Sequence, residues 1–215
     1  MNTNNKFVIT INRELGSGGR TVGRKLAEQL NVPYYDKALS MALQEKYHIS
    51  SEVLERIKGQ KQGWWEDLKR VLAGPNSDDT FFIMEMGREP EVLNTEMVFR
   101  AETEILKEMG KNESCIIAGR SAFYIFRDHP NHLSILIQAS MPSRIARVAR
   151  EQNMSREEAR MTIDKVDEMR ENYINMFART SRYDARNYQL VLSMDELTED
   201  EAVNIIMDYI RSMNK

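Results

Sequence analysis

Residues 9–30, ITINRELGSGGRTVGRKLAEQL, pass from an apolar, β-branched run through a glycine-rich turn into a helical pattern. Phe7-Val8-Ile9-Thr10-Ile11 reads as a buried first strand that breaks at Asn12. From Thr21 onward Val22, Leu26, Ala27 and Leu30 fall on one helical face, and Asn31 followed by Pro33 supplies a stop. A phosphate-binding loop needs inward backbone N–H groups, a helix N-terminus behind them and a cation that reaches the β- and γ-phosphates. Gly16-Ser17-Gly18-Gly19 supplies the permissive backbone. Laid on G-x-x-x-x-G-K-[ST], residues 14–21 (ELGSGGRT) match at the last glycine and at the final threonine, while Glu14 replaces the first glycine and Arg20 the lysine. Arginine keeps the charge and can fork onto two phosphate oxygens, but it is longer and planar. A glycine turn with a solvated Arg20 accounts for the same residues, so other positions must decide.

Further strand-like runs are Cys115-Ile116-Ile117-Ala118, Leu133-Ser134-Ile135-Leu136-Ile137 and Gln189-Leu190-Val191-Leu192, with a short one through Tyr34 and Tyr35. Helical patterns alternate with them, which favours a parallel sheet covered by helices on both faces. Two helix starts carry capping-box residues, Ser155-x-x-Glu158 and Thr198-x-x-Glu201, and their helices are expected to run to about Tyr173 and Ser212. Gly59 to Pro90 differs: Gly59, Gly63, Gly74 and Pro75 surround a short helical pattern of Trp64, Trp65, Leu68 and Leu72, expected to be an inserted flap. The double tryptophan fits ordinary packing as well as base stacking or a partner surface.

With 215 residues, 41% of them hydrophobic, the chain can bury one sizeable core, and a single domain is expected. A net charge of −3 is unlike a protein built to coat nucleic acid, so any basic site is local. The single Cys115 excludes an intramolecular disulfide framework and a cysteine-rich zinc site. No run approaches the ~20 apolar residues of a membrane-spanning helix, and the N-terminus does not read as a secretory leader. A cytoplasmic protein with a small-molecule partner, and neither a nucleic acid nor a membrane partner, is expected; a homo-oligomer is left open.

Asp36 in Tyr35-Asp36-Lys37 suits a helix N-cap before residues 37–46. Nine arginines fall between residues 141 and 186, and a helix laced with ion pairs, such as Arg160 with Asp164, explains most of them. His129 and His132 bracket Pro130-Asn131 without a third clear ligand, so no metal centre is expected there. The 14 methionines read as flexible core filler. No G-x-G-x-x-G opens the first helix with an acidic residue placed for a ribose, which argues against a dinucleotide site.

ITINRELGSGGRTVGRKLAEQLNVPYYDKAL, CIIAGRSAFYIF, ILIQASMPSRIARV and DKVDEMRENY, in that order from residue 9 to 173, together resemble the cytidylate kinase-like family, and NYQLVLSMDELTEDEAV extends the likeness. In that family the R-E-x-G-S-G-G-R loop is the usual form. The resemblance implies a P-loop kinase-like three-layer α/β/α fold with a five-stranded parallel sheet, a helical acceptor flap at about 37–90 and an arginine-bearing lid at about 150–186. It implies an ATP- and Mg²⁺-dependent nucleoside monophosphate kinase, with CMP or dCMP the first acceptor to test. Gly16, Ser17, Gly18, Gly19, Arg20 and Thr21 would cradle the ATP phosphates, with Arg20 at the β/γ region and Thr21 on the Mg²⁺ side. Asp36 and Arg120 would face the acceptor, Arg120 lying just past a strand end where open parallel sheets place ligands. Arg144, in Ser140-x-x-x-Arg144-x-x-Arg147, leads into the lid, and Asp167-x-x-Arg170 matches its D-x-x-R, so Arg20, Arg144 and Arg170 would neutralise charge during transfer. Two positions depart from cytidylate kinase itself: Ser121 stands where it has aspartate, and Ala42 where it has an acceptor-phosphate arginine. These departures keep two other readings open, a nucleotide-binding regulatory protein with weak or no transfer and a kinase for another small acceptor.

Overall fold

The computed structural model describes residues 1–36, 92–119 and 121–213. Strand β1 (Val8–Arg13) leads through the glycine loop into α1 (Gly19–Leu30), followed by β2 (Tyr34–Tyr35). Helix α2 (Val92–Asn112) precedes β3 (Cys115–Ala118), the short α3 (Ala122–Ile125) and β4 (His132–Gln138). Helices α4 (Met141–Gln152) and α5 (Arg156–Ala178), a 3₁₀ turn at Ala185–Asn187, β5 (Leu190–Ser193) and α6 (Glu199–Met213) complete the described chain. The expected flap with Trp64 and Trp65, together with Lys37, Ala42 and Arg120, lies outside the described residues.

All five strands are parallel, in the order β2-β3-β1-β4-β5. The chain leaves β1 to build one side of the sheet and crosses back to build the other, so both crevices flanking the C-terminal end of β1 are switch points where such sheets take ligands. Register places Ile11 beside Ala118 and Arg13 beside Ile137, and the glycine loop therefore begins level with the ends of its neighbours.

Alternation along the strands divides the core into layers. Ile9, Ile11, Leu133, Ile135 and Ile137 pack against Val22 and Leu26 of α1 and Val203, Ile206 and Ile210 of α6. On the opposite face Val8, Cys115 and Ile117 meet Leu106 and Met109 of α2, with Ile125 and Phe126. Each such aliphatic side chain contributes about 1.5–3 kcal/mol by leaving water. This is the three-layer α/β/α architecture expected from the strand and helix alternation.

Both capping boxes form: Ser155 Oγ accepts the Glu158 N–H while Glu158 accepts the Ser155 N–H, and Thr198 and Glu201 do the same. The end of α5 differs from expectation, running to Ala178 rather than about Tyr173. Its last turn is held by burial, with Ile174 and Ala178 against Phe123, Leu136 and Tyr188, and Phe177 stacked on Phe99 at 4.4 Å. No glycine or proline interrupts it, and Arg179 ends it in a left-handed conformation at φ 50°.

Candidate functional site at the end of β1

Gly16 (φ 79°) and Gly18 (φ 81°) take left-handed conformations that reverse the chain between β1 and α1, which starts at Gly19 with Gly18 as its N-cap. Ser17 is buried, its hydroxyl donating to the Glu14 carbonyl at 2.9 Å. Arg20 and Thr21 follow in the first turn of α1 and are both exposed.

Glu14, where the simple motif has glycine, is a brace. Its N–H donates to the Ile137 carbonyl at 3.1 Å, one carboxylate oxygen accepts the Ala139 N–H at 3.0 Å, and the other lies 3.4 Å from Arg144 Nη1. Arg144 is 3% exposed; its Nε donates to the Leu15 carbonyl at 2.7 Å and its Nη2 binds the Asp167 carboxylate. Gly16 packs on the same helix, where a Cβ would come within 2.8 Å of the Arg144 carbonyl oxygen. Arg147, one turn along α4, pairs with Glu199 at 2.7 Å behind Gly18 and holds the Glu199 carboxyl below its usual range.

The structure thus brings Arg144 and Asp167 together and adds Arg182. That side chain is completely buried: its Nη2 donates to the Arg13 carbonyl at 2.5 Å and to Asn12 Oδ1 at 3.3 Å, and its Nη1 lies 3.8 Å from Asp167 Oδ1. The Arg182 carbonyl accepts from the Tyr188 hydroxyl at 2.7 Å, and burial pushes the Tyr188 phenol up to about 12. One carboxylate therefore links α4, α5 and the segment after α5 to the start of the loop. Arg170 follows Asp167 by three residues on α5 and is half-buried.

On the other side of the loop Arg20 pairs with Asp36 at 3.1 Å; the Arg20 side chain is 49% exposed and that of Asp36 3%. The residue expected at the donor phosphates thus touches the residue expected at the acceptor. Tyr34 lies beside them, its ring 2.7 Å from where a Cβ on Gly23 would stand and its hydroxyl buried without a hydrogen-bond partner among the described residues. Burial raises the Tyr34 phenol against the opposing pull of Arg13. Ser121, in a left-handed conformation just past the end of β3, has a buried hydroxyl that likewise lacks a partner among the described residues.

Arg13, Tyr34 and Arg182 were not singled out by sequence reasoning, and Glu14 only as a departure from the loop motif. Arg13 and Glu14 stand in a loop motif read for its glycines and Arg20. Arg182 had no local signal, because its partners lie 15 and about 170 residues away. Among the described residues no group of three His, Cys, Asp or Glu side chains forms a metal cluster, and no helix is long and apolar enough to cross a membrane. An exposed Thr21 hydroxyl still fits Mg²⁺, which binds through one or two protein oxygens, water and substrate phosphates rather than a protein cage.

The profile of the cytidylate kinase-like family matches residues 8–196. Among solved structures, an uncharacterized protein from Eubacterium ventriosum aligns over 96% of this chain and 99% of its own at 26% identity, with a TM-score of 0.66. A shikimate kinase from Acinetobacter baumannii in complex with shikimate covers 95% and 93% at 16% identity and TM-score 0.49. A deoxyadenosine kinase from M. mycoides with products dCMP and dCDP covers 96% and 100% at 14% identity and TM-score 0.45. No curated protein sequence matches the chain.

Proposed function

The chain belongs to the cytidylate kinase-like family, and we propose that it transfers the γ-phosphoryl group of ATP to a nucleoside monophosphate, CMP or dCMP first. The observation that carries this reading is the Arg20–Asp36 pair, which joins the first turn of the phosphate loop's helix to the end of β2. Donor and acceptor crevices are thereby neighbours across one side chain, as direct in-line transfer requires.

In this reading residues 16–21 hold the ATP phosphates through backbone N–H groups and the α1 N-terminus. Asp36 binds the acceptor, the role the family resemblance also gives Arg120, and Thr21 serves Mg²⁺, which when bound neutralises charge on the β- and γ-phosphates. An acceptor phosphate is already anionic and needs no strong base, so the protein's work is positioning and charge neutralisation. Arg170 faces the acceptor phosphate from α5, next to Asp167. Arg144 reaches a phosphate only by exchanging one of its present partners, Leu15, Glu14 or Asp167, and until then it holds the loop in shape. The buried Asp36 carboxylate favours a second reading, a small acceptor whose hydroxyl donates to it.

The test is ADP and nucleoside diphosphate formation from ATP and Mg²⁺ against a panel of ribo- and deoxyribonucleoside monophosphates, with Arg20→Ala as the control. Acceptor-dependent ADP that falls at least tenfold in the variant supports the reading and names the base. ATP binding with no diphosphate from any acceptor sinks it in favour of a regulatory protein or another acceptor.

A further inference from the structure

Two positions at the start of α1 could supply the cation of a phosphate loop, and neither does so in a simple way. Gly19, the first residue of the helix, has no side chain, and a Cβ there would lie 2.7 Å from the Arg13 Cβ and 3.2 Å from the Ile137 Cβ. The room that a lysine at 19 would need is already taken by the stem of Arg13. Arg20 is the next position, and its guanidinium turns to Asp36.

Arg13 runs in the direction left open. From the end of β1 its guanidinium crosses to the end of β3, where a Cβ on Gly119 would strike Nη1. The arginines around the loop otherwise have carboxylate partners: Arg20 has Asp36, Arg144 has Glu14 and Asp167, Arg147 has Glu199, and Arg182 has Asp167. Arg13, half-buried, has none among the described residues. A cation withdrawn from water without a counter-charge is costly, and an anion that arrives there is correspondingly favoured. The Tyr34 and Ser121 hydroxyls, which lack a hydrogen-bond partner among the described residues, lie in β2 and just past the end of β3 and supply further polar atoms.

We propose that Arg13 is the phosphate-binding cation of this loop: projecting from the last residue of β1, immediately before the loop, it grips the terminal phosphate of a nucleoside triphosphate between the ends of β1 and β3. Arg13 and Gly19 are then a matched pair, one side chain occupying the space the other vacates. The fork of the guanidinium can hold two oxygens of one phosphate. The inference rests on the nucleotide-binding reading above, and it assigns to Arg13 the contact that the loop motif alone assigns to Arg20.

The experiment is titration calorimetry of ATP–Mg²⁺ and ADP–Mg²⁺ into the full chain and its variants at one salt concentration, with thermal melting in the absence of nucleotide as the check on folding. Arg13→Gln is expected to weaken ATP binding at least tenfold and ADP binding less, whereas Arg13→Lys retains part of the ATP preference. The double variant Arg13→Gly with Gly19→Lys is expected to recover affinity that Arg13→Gly alone loses, because a lysine at 19 then has room; a merely structural Arg13 would give no such recovery. Wild-type ATP affinity within twofold in a folded Arg13→Gln overturns the proposal and leaves the kinase reading standing. A wild-type protein that binds no nucleoside triphosphate overturns both.

Discussion

Replacing Asp167 by alanine leaves two buried arginines short of a counter-charge, and the cost can be worked from their surroundings. Arg182 has no exposed surface, and Asp167 is the only carboxylate within 4 Å of its guanidinium among the described residues. Arg144 keeps Glu14 at 3.4 Å and the Leu15 carbonyl, so its loss is partly covered. Breaking one partner out of a buried pair costs about 3–5 kcal/mol, and the surviving Glu14 puts this case near about 3 kcal/mol. For a chain of this size that lowers Tm by roughly 6–12 °C. The assay is calorimetric or circular-dichroism melting without nucleotide, after reversibility is established. Asp167→Asn keeps an acceptor oxygen and loses the charge, so its Tm falls between the two. Asp164→Ala removes the exposed pair with Arg160, 3.6 Å apart, and leaves Tm within about 1 °C. An Asp167→Ala protein that melts within about 1 °C of the parent refutes the reasoning: Asp167 would then act only on a bound substrate, and the buried network would hold nothing together.

His132, half-buried at the start of β4 with its Nε2 2.7 Å from Thr10 Oγ1, is brought down to about 4 by desolvation and by the neighbouring charge of His129. Its folded pKa lies below the unfolded value of ~6.5, so the unfolded chain binds the extra proton and stability is lost as pH falls from about 6.5 toward 4, by up to about 3 kcal/mol. Denaturant titrations at pH 7 and 4.5 should show this loss, with a shallower slope in His132→Asn; equal slopes would show that the imidazole contributes nothing. Ser155→Ala removes the cap of α5 and should cost about 1 kcal/mol in the same titrations. An unchanged midpoint would mean that the interior of α5 holds its first turn unaided.

The central strands were legible because their signals are local. Cys115–Ala118 is a fully buried apolar run, and β1 and β4 differ from expectation only at their ends. The C-terminal end of α5 was not, since the contacts that extend it past Tyr173 come from Phe99, Phe123, Leu136 and Tyr188, all distant in sequence. The glycines of the loop could be read from the motif, and so could the acidic and basic residues of α4 and α5 as a class. Which arginine meets which carboxylate could not: Arg144 and Asp167 are 23 residues apart, and Arg182 reaches Asn12 across 170. Asp36 shows both limits, picked out as an N-cap candidate and through the family resemblance but paired with Arg20 only by the folded chain.

The departures from the simple loop motif belong together physically. Glycine at the first motif position normally lets the backbone turn without obstruction; here Glu14 occupies it and the turn is held by side-chain bonds to Ala139 and Arg144 instead. That brace works only while Arg144 is oriented, and Arg144 is oriented by Asp167, whose second oxygen faces the arginine that bonds the Arg13 carbonyl. The same closed circuit fixes the backbone from which Arg13 projects, and the absence of a side chain at Gly19 gives that projection its room. A loop that had merely lost its lysine would not be expected to carry a substitution and a compensating contact at each altered position. The circuit also means that α5, which carries Arg170, and the glycine loop share Asp167. Any anion that draws Arg144 or Arg182 away from Asp167 must therefore act on both the loop and α5 at once.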